Sequence, residues 1–311
     1  MPTEPHKDIL YRELSLVQAR EASPQASPLL QEVVNFASNA LVRCVSYSEG
    51  AENVDLAPLA LYRHIMEMAD GVEVLIAGAC PVPAIPILRS AFEALLSLEY
   101  ILEDNANYDR RSLSWLAGYL NKRIASYQSL LSNTARGKEF LESIERDKTI
   151  RDFPLPPSDS IQAAIANLTV VLDRDQFTEI RREFSAPGRT PHWYSLFGGP
   201  ADLRELARHL RRHLQYDVLY RQWSMSTHAQ DFSPFLTRSA DGAKGIRGLR
   251  DISSLKLMAT FGIVFPLDAT RLLIDHFHPG ETWGDWYLRE VSHRFLQIVG
   301  GASKGSTVDA A

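Results

Sequence analysis

Apolar residues recur at three- and four-residue spacing along most of the chain, the period of helices that bury one face. In the stretch 28–48 the apolar set is Leu29, Val33, Phe36, Ala37, Ala40 and Leu41. Ser27 is placed to cap that helix, with Pro28 at the first helical position, where a missing N–H does no harm. A second run, 59–79, puts Leu61, Ile65, Met68, Ala69, Val72 and Leu75 on one broad face. Cys80-Pro-Val-Pro83 stops it, and a third run, 84–103, is apolar nearly all round, which marks a central helix. The short proline-marked connection predicts that the second and third helices form an antiparallel hairpin.

Further along, Tyr108, Leu113, Leu116, Tyr119, Leu120 and Ile124 predict a helix over 108–131. A charged stretch, 136–151, predicts a shorter surface helix, and Phe153-Pro-Leu-Pro-Pro157 an extended connector. Ser158 to Ser160 are placed to cap a helix over 161–172, with another short one over 175–183. The stretch 187–200 is rich in Gly and Pro and carries His192, Trp193, Tyr194 and Phe197, aromatics that more often fold back into a core than form a binding loop. Helical spacing resumes over 201–229, with a bend expected at Tyr216-Asp217. A polar, Gly-rich loop over 233–248 precedes helices over 251–277 and 283–298. Nothing alternates with strand period for more than a few residues. The expected fold is all-α, an antiparallel helical bundle with additional C-terminal helices. Its expected segments are an N-terminal helical extension (1–54), the bundle core (55–232), C-terminal helices (233–300) and a flexible tail (301–311).

With 311 residues, 45% hydrophobic and 23% charged, the chain has the composition of a globular protein. A net charge of −5 argues against coating nucleic acid through bulk charge, so any anionic partner has to be held at a local site. Two cysteines, Cys44 and Cys80, form neither a disulfide framework nor a metal motif. No stretch approaches the ~20 apolar residues of a membrane span, and 257–267 reads as a buried core helix. No membrane partner and a cytoplasmic location are therefore expected.

Polar residues at positions where the pattern asks for apolar ones are the candidates for chemistry. Arg89 and Glu93 lie four apart on the central helix and share a face. In Tyr220-Arg-Gln-Trp-Ser-Met-Ser-Thr-His228, Arg221 and His228 stand seven apart, close to two helical turns, with Ser224 between them. Arginine is a fork of donors for phosphate and histidine moves protons near neutral pH. Should the two helices pack together, Arg89, Glu93, Arg221, Ser224 and His228 converge as cation, orienting carboxylate and general acid/base. The competing reading is an ion pair that fixes helix register, with His228 a helix-terminal histidine bonded to a carbonyl. The basic run Arg208-His-Leu-Arg-Arg-His213 either steers phosphate or is a solvated face. His276-Phe-His278 has no nearby Cys to complete a metal site, and Gly198-Gly199 lacks the Lys and Ser/Thr of a phosphate loop; no cofactor is implied.

The run Ala84-Ile-Pro-Ile-Leu-Arg-Ser-Ala-Phe-Glu-Ala-Leu-Leu-Ser-Leu-Glu-Tyr-Ile-Leu102, behind its long preceding helix, resembles the core of a bacterial family, domain-of-unknown-function family five-six-seven-seven. The Tyr220…Ser224…His228 block is similar to that family's second distinctive segment, and the resemblance spans roughly 55–232. More widely the chain resembles HEPN-type helical domains, whose ribonuclease members carry Arg-x4-6-His at a dimer interface and act as metal-independent endoribonucleases of toxin or phage-defence systems. Arg221 and His228 fit that motif at its long limit, with Gln222 where that group often has Asn, Asp or His, and the bulky Trp223 after it. The resemblance implies an RNA substrate, a homodimer, a neutralising or regulatory protein partner, and no cofactor. Many HEPN-like domains are not nucleases. The alternative expectation is a non-catalytic helical module that binds a ligand or partner as a sensor or assembly subunit.

Overall fold

A computed structural model describes residues 10–48, 53–150, 154, 156–186, 191–227, 236–238, 242, 244–278 and 280–300. The described chain is all-α apart from one two-stranded hairpin, and it divides into two compact units. The first is built from the described parts of Met1–Ala51, Pro58–Glu103 and Ala207–Ala311; the second from those of Glu52–Ala57 and Asp104–Leu206.

The first unit opens with α1 (Arg12–Ala22), a helix the hydrophobic pattern does not single out, because only Ser15 and Ala19 are buried on it. α2 (Ala26–Tyr47) follows. Ser27 is not its cap: the hydroxyl donates instead to Glu73, at 2.5 Å, and the cap position falls on Gln25 without a side-chain bond. α3 (Leu56–Ala77) and α4 (Ala84–Leu102) make the expected antiparallel hairpin, with His64 Nε2 2.8 Å from Ser90 Oγ. α3 ends with Ala79 at φ 52° and the Cys80 N–H reaching back to the Leu75 carbonyl, a Schellman closure without the customary glycine.

α12 (Leu255–Phe277) lies against α2 and α4 and fills the centre of the unit. By length and apolar composition it could cross a membrane, yet most of it is buried within the unit, which makes it a core helix. Gly262 lets it close on its neighbours: a Cβ there would sit 2.9 Å from Val72 Cγ1 and 3.1 Å from Leu30 Cδ2. The buried Tyr62 hydroxyl, 2.9 Å from the Ala37 carbonyl and 2.8 Å from Thr270 Oγ1, ties α2, α3 and α12 together.

The expected long helix over 201–229 is broken. α9 (Leu203–His209) closes at Arg211, which has φ 59°, while the Arg212 N–H bonds the Ala207 carbonyl. The break thus falls five residues before the expected bend, because the Schellman closure sits at Arg211. A short α10 (His213–Gln215), a π turn (Tyr216–Tyr220) and α11 (Arg221–Thr227) then run on without interruption. In the loop expected over 233–248, β1 (Leu236–Arg238) pairs antiparallel with β2 (Lys244–Ile246). α13 (Trp283–Trp286), a second π turn (Tyr287–Val291) and α14 (Ser292–Gly300) complete the unit.

The second unit centres on α5 (Tyr108–Gln128), packed against α7 (Ser158–Leu172), α8 (Thr178–Phe184) and the 3-10 segment Trp193–Gly198. α6 (Ala135–Arg146) is capped by Thr134 Oγ1, which accepts from the Gly137 N–H at 2.9 Å. Leu113, Ala117, Leu120, Leu172, Phe177, Ile180 and Leu196 form the core. The aromatic loop folds back as a plug: Tyr194 and Leu196 are buried, and Gly118 leaves room for Trp193, whose Cβ a side chain at 118 would approach to 3.1 Å.

Candidate functional site

α4 presents Arg89, Glu93 and Glu99 along one side, with Glu103 just past its end, and each meets the stretch from the end of α9 to the π turn. Glu103 pairs with His209, Glu99 with Arg212, and both Arg89 and Glu93 with Tyr220. As the α4 number falls the partner's number rises, so the two strips run antiparallel and the pairs set their register.

The lower part of this seam is closed. Arg212 is only 11% exposed and bonds Glu99 through Nε, Asp268 of α12 through Nη1 at 2.8 Å and Gln215 at 3.1 Å. Burial pushes the Glu99 carboxyl above its usual range even though Arg212 pulls the other way. The solvated face allowed for the basic run is therefore corrected in part: Arg212 is a buried structural cation and His209 contacts Glu103 at 2.6 Å.

The upper part is more open. Arg89 Nη2 donates to the Tyr220 hydroxyl at 2.7 Å, and that hydroxyl donates to Glu93 Oε1 at 2.7 Å. Arg89 Nε lies 3.5 Å from the same carboxylate oxygen and Arg89 Cζ 4.4 Å from the Tyr220 ring centroid. Arg89 Nε is buried and makes no hydrogen bond, whereas the Glu93 side chain is 46% exposed. Burial, ahead of the opposing effects of Arg89 and Glu93, pushes Tyr220 up to about 12. The phenol therefore keeps its proton at neutral pH, accepting from the arginine and donating to the carboxylate.

An aromatic chain holds Tyr220 and its neighbours from beneath. Tyr220 lies 6.2 Å from Phe92, Phe92 is 5.5 Å from Phe265, Phe265 is 5.4 Å from Phe261, and Phe261 meets the buried Trp223 edge-on at 5.7 Å. Trp223, a bulky departure from the resembled motif, is thus a core anchor. Arg221 stands apart from this group. Its side chain is 65% exposed, and Nη1 lies 3.8 Å from Asp217 one turn earlier. Ser224 is partly buried, four residues after Tyr220 on the same helix.

Of the five residues expected to converge, the structure joins Arg89 and Glu93 through Tyr220 and shows Arg221 paired with Asp217. His228 lies outside the described residues. Tyr220 is the member of the group that sequence reasoning passed over, because an aromatic at helical spacing reads as core. Its place in the Tyr220…Ser224…His228 block was the available signal.

A family model described as "Family of unknown function (DUF5677)" matches residues 55–243. No curated protein and no solved structure matches the chain.

Proposed function

The chain belongs to the DUF5677 family, whose description assigns no activity, and from the resemblance to HEPN-type domains together with the exposure of Arg221 we propose that it is a metal-independent endoribonuclease of toxin or phage-defence type, with Arg221 as the phosphate-binding cation. The observation that supports this is the exposure of Arg221 beside rigidly held neighbours: Tyr220 is bonded to α4 and Trp223 is buried, while the guanidinium between them reaches solvent. A cation with little to hold it on the protein side is available to a ligand phosphate.

In this reading an RNA 2′-hydroxyl attacks the adjacent phosphorus. His228, given this role by its seven-residue spacing from Arg221, removes the hydroxyl proton, and Arg221 stabilises the charge of the phosphorane. The bond to the 5′ oxygen breaks, that oxygen takes up a proton, and the products are a 2′,3′-cyclic phosphate and a 5′-hydroxyl. Proton transfer of this kind contributes ~10²–10⁴-fold. Arg89 and Glu93 act through Tyr220, as groups that fix the helix bearing Arg221. Ser224 lies on that helix between Arg221 and His228 and is a further group for contact with the RNA. A homodimer would double the cationic density that a chain of net charge −5 lacks.

A second reading has its own support. Arg89, Tyr220 and Glu93 bond one another, which suits a non-catalytic module that binds a ligand or partner and acts as a sensor or assembly subunit. The deciding experiment incubates a mixed RNA pool with the full chain in EDTA, comparing wild type, Arg221→Ala and His228→Ala. Cleavage by wild type to 2′,3′-cyclic ends, lost in both variants, is expected. A folded wild type that leaves the RNA intact would overturn the nuclease in favour of the binding module.

A further inference from the structure

We propose, building on the ribonuclease reading, that the π turn Tyr216–Tyr220 sets the register of α11, and that Tyr220, latched by Arg89 and Glu93, is a positioning residue that keeps Arg221 turned to solvent. The Arg221 N–H bonds the Tyr216 carbonyl, five residues back instead of the four of an α-helix. The turn thus contains one residue more than an α turn, and every later residue is held back by about one helical step of about 100°.

In an uninterrupted α-helix, the direction that Tyr220 now takes toward α4 would belong to Leu219. Tyr220 would then point where Arg221 now points. A leucine can neither accept from Arg89 nor donate to Glu93, so the inserted residue is what allows the α4 contact and the exposed guanidinium to coexist. Single π turns inside α-helices are rare and often found at functional sites.

Two groups of contacts hold the inserted residue. The rings of Tyr216 and Tyr220, the ends of the turn, stack with centroids 5.0 Å apart. The Tyr220 hydroxyl adds its two 2.7 Å bonds to Arg89 and Glu93, one accepted and one donated, a pair of roles that the protonated phenol fills at neutral pH. The latch is specific to a phenol, since phenylalanine keeps the ring stacking and loses both bonds.

The test uses the full chain with Tyr220→Phe and a deletion of the exposed Val218, which takes one residue out of the turn. Two readouts are followed: hydrogen exchange of the Arg221 amide, and kcat and KM for RNA cleavage in EDTA. In Tyr220→Phe the Arg221 amide is expected to exchange about tenfold faster while amides in α12 are unchanged, and kcat to fall about tenfold at constant KM. The Val218 deletion returns the turn to α length and leaves Tyr220 and Arg221 in the directions they now take, so it is expected to keep that amide protected through an α-type bond and to keep cleavage. Tyr220→Phe with unaltered Arg221 exchange and kcat, or a folded deletion variant that has lost cleavage, overturns the proposal. A deletion variant that does not fold leaves Tyr220→Phe to decide. RNA left intact by wild type removes the ribonuclease reading alone, and the exchange rate in Tyr220→Phe then settles the register question.

Discussion

The two halves of the α4 seam are built from similar residues and differ in what they leave over. At one end Arg212, 11% exposed, is enclosed by Glu99, Asp268 and Gln215, all of its bonding directed inward. At the other end Arg89 is bonded to a neutral phenol, Glu93 is 46% exposed, and the next residue along the partner helix, Arg221, faces solvent. Charge enclosed on every side can fix a helix break but has nothing to offer a ligand. A charge held beside a protonated hydroxyl, at the edge of an aromatic core, leaves polar groups within reach of solvent. The lower half is architecture, and the upper half is where the fold has room for chemistry.

The largest expected effect is on the closed half. Arg212→Ala leaves two carboxylates without their shared cation in a largely buried position, and breaking a buried pair of this kind costs roughly 3–5 kcal/mol. Urea denaturation should show that loss, and one below about 1 kcal/mol would mean that the network is more solvated than its geometry implies.

A sharper probe is pH. The folded-state pKa of Glu99 is raised by burial, so the folded protein holds this proton more tightly than the unfolded chain. The resulting contribution to stability is fully present below the ordinary glutamate pKa and is lost as pH rises through the raised value. Its slope is at most about 1.4 kcal/mol per pH unit for one proton. Denaturation midpoints measured upward from the ordinary glutamate range should fall in wild type and level out in Glu99→Gln. Identical profiles would remove Glu99 as the source.

How far the sequence could show this contrast follows from what periodicity records. The α3–α4 hairpin, the largely apolar surface of α4 and the shared face of Arg89 and Glu93 follow from spacing alone, because an ionisable pair four apart in an apolar helix has few places to go. Arg212 was hidden in the run 208–213, where a helical wheel assumes one continuous helix; the closure at Arg211 changes the direction of every residue after it. Tyr220 was hidden for a related reason, since a π turn shifts the wheel by a residue and nothing in the composition of 216–220 announces it. The second unit, most of it the stretch Asp104–Leu206, has helices of the same period as the first, so the pattern carries no mark of the chain's return.

Two smaller effects test the open half. Tyr220→Phe should cost about 1–2 kcal/mol, since its hydroxyl bonds two charged groups that keep partial access to water. Arg89→Met should cost a similar amount and not add to it, because both variants empty the same contact; additive losses in the double variant would show that the two side chains act separately.

Arg221→Ala is expected to change stability least, by less than about 0.5 kcal/mol, because its 65% exposed side chain makes a single ion pair at 3.8 Å, of a kind worth little in water. It is also the variant expected to abolish RNA cleavage. That combination separates the two readings of the upper half, since a residue that contributes to function alone can be removed without the fold responding. Thermal denaturation and cleavage in EDTA, measured on the same preparation, check both quantities. A stability loss of 2 kcal/mol or more, above roughly the limit for surface substitutions, would make Arg221 part of the architecture and bring the two halves of the seam under one explanation.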